Sequence, residues 1–154
     1  MGKLFLFVVA VGLAIGLALP SGHSKPVPVA AASGGEITLT RGSTGHFFTD
    51  AKVNGRATLH FLVDTGATTV ALTVDDARAL GLDVDPAEFD VIGKGVGGEV
   101  RGKAIMLASI EIDGKKVENV PAVVLEGSDM TLLGQTFLAR MDQVQISGDY
   151  LTMK

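Results

Sequence analysis

One acidic residue stands where its chemistry could count. In Phe61-Leu62-Val63-Asp64-Thr65-Gly66-Ala67-Thr68-Thr69-Val70 a single carboxylate falls in a Thr-Gly turn between two stretches of apolar and β-branched residues. Flanks of that kind form strands, so the turn rides on stiff supports. Gly66 has no Cβ, which lets a peptide N–H come close to the carboxylate. Further along, Met130-Thr131-Leu132-Leu133-Gly134-Gln135 brings two aliphatics and a glycine to the opening of a short helix. Asp-Thr-Gly alone is a common turn sequence, so the neighbours decide its meaning.

Other chemistries have less behind them. Asp64-Thr65-Gly66-Ala67-Thr68 fits the Asp-x-Gly-x-Thr phosphate loop of sugar kinases and actin-like ATPases, but those folds need far longer chains and further nucleotide loops. Gly93-Lys94-Gly95-Val96-Gly97-Gly98 satisfies G-x-G-x-x-G, yet the residues after it alternate like a strand instead of opening a helix. His23 falls in a linker, and His46 and His60 lie on expected strands without a paired ligand at metal spacing. Asp83-Val84-Asp85 lacks the glycine and distal glutamate of a calcium loop, and helix capping explains it better. No serine occupies a nucleophile elbow, and cysteine is absent, which removes disulfides and thiolate chemistry. No metal or cofactor is expected.

The chain of 154 residues is 47% hydrophobic and 19% charged, enough for one domain with a core. Its net charge of −4 without a basic block argues against a nucleic-acid partner. Twenty glycines suit a β-rich fold with many tight turns. Glu36 to Arg41 reads as a strand. His46 to Val53 and Arg56 to Val63 flank Asn54-Gly55, a strong hairpin signal, with Ala57, Leu59, Phe61 and Val63 on one face. Thr68 to Leu72 is β-branched and apolar. Thr73-Val74-Asp75-Asp76 opens a short helix stopped by Gly81, and Asp85-Pro86 starts another helical turn. Alternation between Glu99 and Asp113 puts Val100, Ala104, Met106, Ala108, Ile110 and Ile112 on one face. Asp113-Gly114 turns a further hairpin, and Gly148-Asp149 a last one. Val53-Asn54-Gly55-Arg56 and Ile112-Asp113-Gly114-Lys115 each lead to a strand, a loop, a second apolar strand and a helix, a weak internal repeat.

The N-terminus has a different character. After Lys3, Leu4 to Leu19 is an uncharged apolar stretch ended by Pro20. Residues 1–20 read as a signal anchor or a cleaved signal peptide, an anchor being slightly favoured, and 21–35 as a Pro/Ala/Gly-rich linker. The folded domain is expected over 36–154. The positive-inside tendency places that domain outside the cytoplasm: inner membrane with a periplasmic domain, or secreted if the leader is cut.

The Asp64 run, the Leu132-Leu133-Gly134 segment and the helix after it resemble the retropepsin-like aspartic proteases, over roughly Glu36 to Lys154, in the manner of their bacterial membrane-anchored branch. The resemblance implies an all-β, barrel-like acid-protease fold with one or two short helices. One Asp-Thr-Gly per chain implies a homodimer, with Asp64 of each copy in an Asp-Asp dyad that activates water against a peptide bond. It implies that Thr65 bonds across the twofold axis, that Gly66 orients the carboxylate, and that Ala67 shapes the adjoining groove. Ala67, where pepsin-like enzymes often carry a hydroxyl, points to activity at weakly acidic to near-neutral pH. By position, Gly95, Val96, Gly97 and Gly98 match the tip of the flap that closes over an extended substrate. The C-terminal strand, about Asp149 to Lys154, is the candidate for pairing between copies. The alternative is a non-catalytic module of the same fold that grips peptides or dimerises.

Overall fold

A computed structural model of the chain describes residues 35–95 and 98–154. The leader and linker expected over residues 1–34 lie outside the described residues, as do Val96 and Gly97. Among the described residues no helix is long and apolar enough to cross a membrane.

Among the described residues there are ten strands and two short helices. β1 (Ile37–Thr40), β2 (Phe48–Val53), β3 (Ala57–Val63) and β4 (Val70–Thr73) precede α1 (Val74–Ala79). A 3-10 turn over Pro86–Glu88 leads into β5 (Asp90–Gly95), β6 (Gly98–Ile112), β7 (Lys115–Leu125) and β8 (Thr131–Leu133). α2 (Gln135–Leu138), β9 (Val144–Ser147) and β10 (Tyr150–Met153) complete the chain. Seven strands form one sheet in the order β2-β3-β8-β4-β7-β6-β5, and an extra β2–β6 pairing closes six of them into a barrel. The all-β, barrel-like expectation with short helices is therefore met.

Local chemistry accounts for the turns. Asn54 and Gly55 at φ 53° and 65°, and Asp113 and Gly114 at 47° and 79°, supply the left-handed pair that a two-stranded twist demands. Thr73 caps α1 by accepting from the Asp76 N–H, and Gly81 ends that segment at φ 74°. Asp85 accepts from Ala87 N–H, which confirms capping as its duty. Gly93 to Gly95 lie on β5 and Gly98 opens β6, a strand and not a helix, so the dinucleotide match is a coincidence of spacing.

The internal repeat has a clear structural meaning. The β2–β3 hairpin, β4 and α1 are matched by the β6–β7 hairpin, β8 and α2. Each hairpin then pairs in parallel with the other unit's third strand, β3 with β8 and β7 with β4. Parallel pairing of this kind needs a long crossover, and the exchange between units supplies it twice.

Two expectations are corrected. Ala104, Met106 and Ala108 do not face inward; Met106 is 60% exposed, whereas Leu107 and Ser109 are buried. The inward side changes near Asn119, which has φ 52° and lies opposite Ala108 in a pairing that skips both. Beyond that point Ile110 and Ile112 do turn inward. The phase shift suits a long strand that serves two parts of a closed barrel, and uniform alternation cannot show it. The C-terminal strand, in turn, has no free edge. β10 runs between β1 and β9 in a separate three-stranded sheet, so β1 and β9 carry that sheet's outer edges.

The core joins Phe61, Leu72, Leu107, Ile110, Leu133 and Phe137, each essentially without solvent contact. Burying side chains of this size supplies the main favourable term in folding. Replacing Leu107 by Ala should cost about 2–5 kcal/mol of unfolding free energy. Met106→Ser, one residue away, should stay within about 0.5 kcal/mol of the parent. Urea denaturation of both variants checks which face of β6 is buried.

Candidate active site

Asp64 follows directly from β3, and the strand ladder fixes where it begins. Val63 N–H donates to Phe47 O at 2.9 Å, and Asp64 N–H donates to Leu133 O at 3.1 Å. The β3–β8 pairing thus reaches the acidic residue itself. The chain then turns: Ala67 N–H returns to the Asp64 carbonyl at 3.2 Å, and Gly66 N–H donates to Asp64 Oδ1 at 2.9 Å. An N–H aimed at a carboxylate is a charge-assisted bond that holds the side chain in one orientation. A Cβ on Gly66 would sit 3.3 Å from the same oxygen, so glycine relieves a tight contact there. Gly66 is not among the positive-φ glycines, so this steric relief is the relevant property. Asp64 is half-buried, Thr65 and Gly66 are exposed, and Ala67 is buried.

The second half of the site comes from the start of α2. A Cβ on Gly134 would meet Thr69 O at 2.4 Å and Ala67 O at 2.8 Å, so only glycine lets the two segments lie this close. Gln135 N–H donates to Ala67 O at 2.8 Å, and Thr136 Oγ1 accepts from Val70 N–H at 2.9 Å. The Gln135 side chain reaches further back, its Nε2 donating to Thr65 O at 2.8 Å. Thr65, Ala67, Thr69 and Val70 are therefore each held against residues 134–136. Gln135 and Thr136 were not singled out from the sequence. Their only signal is position, two polar residues directly after Leu132-Leu133-Gly134 at a helix start.

Leu133 is fully buried, but Leu132 is half-buried and faces the other way, paired in register with the half-buried Leu62. Leu62 lies two residues before Asp64, so this outward pair forms an apolar shelf next to the carboxylate's strand. Phe48 pairs with Leu62 from the other side, and its ring stacks on His60 at 5.2 Å. His60 Nδ1 is 2.7 Å from Asp50 Oδ1, and His46 Nδ1 bonds Thr44 O. Both histidines thus have structural partners. Among the described residues no three His, Asp or Glu side chains gather to hold a metal.

Gly95 and Gly98 are the last and first residues of β5 and β6 and pair with one another at the tip of a hairpin. Val96 and Gly97, between them, lie outside the described residues. A register shift between Val91 and Gly93 kinks this hairpin. Its base is fastened: Arg101 Nη2 donates to Phe89 O at 2.8 Å and Nη1 lies 3.1 Å from Glu126 Oε2. Lys103 bonds Glu88, and that hydrogen bond is the main reason the ammonium pKa is raised; desolvation opposes it, and the charges of Glu88, Asp83 and Asp85 add to the rise. While the Glu88 carboxylate is ionised, the stabilisation from a raised lysine value is present below the ordinary lysine range and is lost as the pH rises through the raised value. Among the described residues no hydrogen bond joins Gly95 or Gly98 to Asp64, Thr65, Gly66 or Ala67. The site residues expected from the sequence thus fall in two groups, the Asp64 loop and the hairpin tip.

Comparison with known proteins agrees with this arrangement. The family model for gag-polyprotein putative aspartyl protease matches residues 49–140. The uncharacterized protein RP867 of Rickettsia prowazekii (strain Madrid E) is 36% identical over 120 residues, 77% of this chain and 51% of that protein. An uncharacterized protein in the cobV 5' region of Sinorhizobium sp is 35% identical over 121 residues, 77% of this chain and 52% of that one. The chain spans about half the length of these curated relatives. Among solved structures, a retropepsin-like aspartic protease from Rickettsia conorii superposes with a TM-score of 0.66 at 34% identity, covering 77% of this chain and 90% of that one. EIAV protease complexed with the inhibitor HBY-793 gives a TM-score of 0.52 at 26% identity, covering 66% and 92%.

The close approach at Gly134 has a measurable consequence. Gly134→Ala should lower stability by about 1–3 kcal/mol, because its Cβ meets main-chain atoms that cannot move independently. Denaturant titration checks the loss, and amide hydrogen exchange should show it concentrated at residues 64–70.

Proposed function

The chain belongs to the retropepsin-like aspartic proteases, and from that premise we propose that it is an aspartic endopeptidase that acts as a homodimer. Asp64 of one copy faces Asp64 of the other around a water molecule. Two carboxylates held that close do not both ionise comfortably, so the pair shares one proton and titrates as a unit. The ionised member takes a proton from the water as its oxygen attacks the scissile carbonyl carbon. The protonated member hydrogen-bonds the carbonyl oxygen and donates to it. The resulting diol collapses when the amide nitrogen is protonated and leaves, with neither covalent intermediate nor metal.

The observation that carries this reading is the built carboxylate. Asp64 Oδ1 is fixed by the Gly66 N–H, on a loop tied down along its length by Gly134, Gln135 and Thr136. The bond from Gly66 N–H to Asp64 is an ordinary turn bond by itself; what a simple connection between two strands lacks is the clamp on this loop from residues 134–136, about seventy positions away. Thr65 is exposed, so its hydroxyl is available to the partner's loop across the twofold axis. An extended peptide crosses the Leu62–Leu132 shelf under the β5–β6 hairpin, whose tip from Gly95 to Gly98 serves as the flap. The apolar stretch within residues 1–20 tethers the domain to the inner membrane on its periplasmic side, or directs its secretion.

The decisive test is cleavage of a denatured protein or peptide library. Asp64→Asn should abolish cleavage while leaving the unfolding transition intact. A large excess of Asp64→Asn chains added to wild type should also suppress activity, because mixed pairs hold a single carboxylate. Absence of cleavage by the wild type would favour the non-catalytic peptide-gripping module, and failure of the excess variant to poison activity would dismiss the shared site. The rate should peak at weakly acidic to near-neutral pH, since Ala67 has no hydroxyl to stabilise the carboxylate anion; a maximum at about pH 2 would contradict that.

A further inference from the structure

The peptide group between Thr65 and Gly66 is held at both ends. Its carbonyl accepts from Gln135 Nε2 at 2.8 Å, and its N–H donates to Asp64 Oδ1 at 2.9 Å. A peptide group is planar, so any rotation that turns the carbonyl away from Gln135 also turns the N–H away from the carboxylate. Linked bonds of this type also polarise one another: a carbonyl that accepts makes its own N–H a stronger donor. We propose that Gln135 is a positioning residue that aims the Asp64 carboxylate through this one peptide group. The inference rests on the reading of Asp64 as the reacting carboxylate and adds a residue that governs it from the start of α2.

The alternative duty for Gln135 would be to hold the fold together, and the surroundings speak against it. Its side chain is exposed and packs in no core cluster. The main-chain anchor to Ala67 O uses the Gln135 backbone N–H, which any substitution keeps. Thr136 and Gly134 hold Val70, Thr69 and Ala67 independently. Removing the side-chain amide therefore frees one carbonyl and leaves the rest of the clamp in place. Among the described residues no ion pair reaches either Asp64 or Gln135, so no neighbouring charge substitutes for the lost donor.

Three proteins test this: wild type, Gln135→Met, which keeps length without a donor, and Gln135→Glu, which donates only when protonated. Gln135→Met should lower kcat roughly ten-fold, the worth of one lost hydrogen bond, with KM unchanged. Its thermal midpoint should stay within about 2 °C of wild type. Gln135→Glu should match Gln135→Met near neutrality and recover relative to it as the pH falls through about 4.3. In the amide NMR spectrum the Gly66 proton should move upfield in Gln135→Met, reporting a weaker bond to Asp64. An unchanged Gly66 resonance, or a loss seen in KM or stability and not in kcat, overturns the assignment. Should wild type cleave nothing, the proteolytic reading fails, while the Gly66 resonance still decides whether Gln135 aims the carboxylate.

Discussion

The structure depends on one parallel pairing, β3 against β8. Phe61, Leu62 and Val63 run in register with Thr131, Leu132 and Leu133, and the ladder continues one step to the bond from Asp64 N–H to Leu133 O. That step places the acidic loop beside Gly134 and the start of α2. Residues nearly seventy positions apart in sequence thereby become a single rigid unit. Each member of the unit contributes little alone, since a net hydrogen bond is worth roughly 1 kcal/mol. Together they leave the carboxylate few alternatives.

Packing explains why this pairing can support so tight a loop. Phe61 and Leu133, on neighbouring strands, are both fully buried, while Leu62 and Leu132 turn outward together. Any slip of one residue would exchange the two faces and expose the core pair. The register is therefore set by burial, and the loop inherits its precision. Exchange of strands between the two repeated units provides the same support on the opposite side, where β7 pairs with β4. The fold thus places the Asp64 carboxylate at the end of a strand anchored on both sides.

Much of this was legible in the chain. Hairpins at Asn54-Gly55 and Asp113-Gly114, the caps at Thr73 and Asp85, and the alternation leading to Val63 all rest on interactions among near neighbours. Uniform alternation misplaces the face of β6 because its burial changes phase opposite Asn119 of β7, where the backbone is left-handed. A linear pattern does not show pairing order, so it offers the C-terminal strand for pairing between copies although β1 and β9 occupy both its sides. The duty of Gln135 is hidden for a related cause: its partner is the carbonyl of Thr65, and a carbonyl carries no residue-type signature.

By itself, then, the sequence determined the Asp-Thr-Gly turn, its strand supports, the repeated units and the apolar segments that must meet. Those features follow from local dihedral preferences and from the period of burial, which act over a few residues. The tertiary structure decided which strands lie side by side, which face of the long β6 strand is dry, and what holds the carboxylate. Such choices follow from closing a six-strand barrel, where each strand must satisfy two neighbours at once and the best compromise is a property of the whole chain.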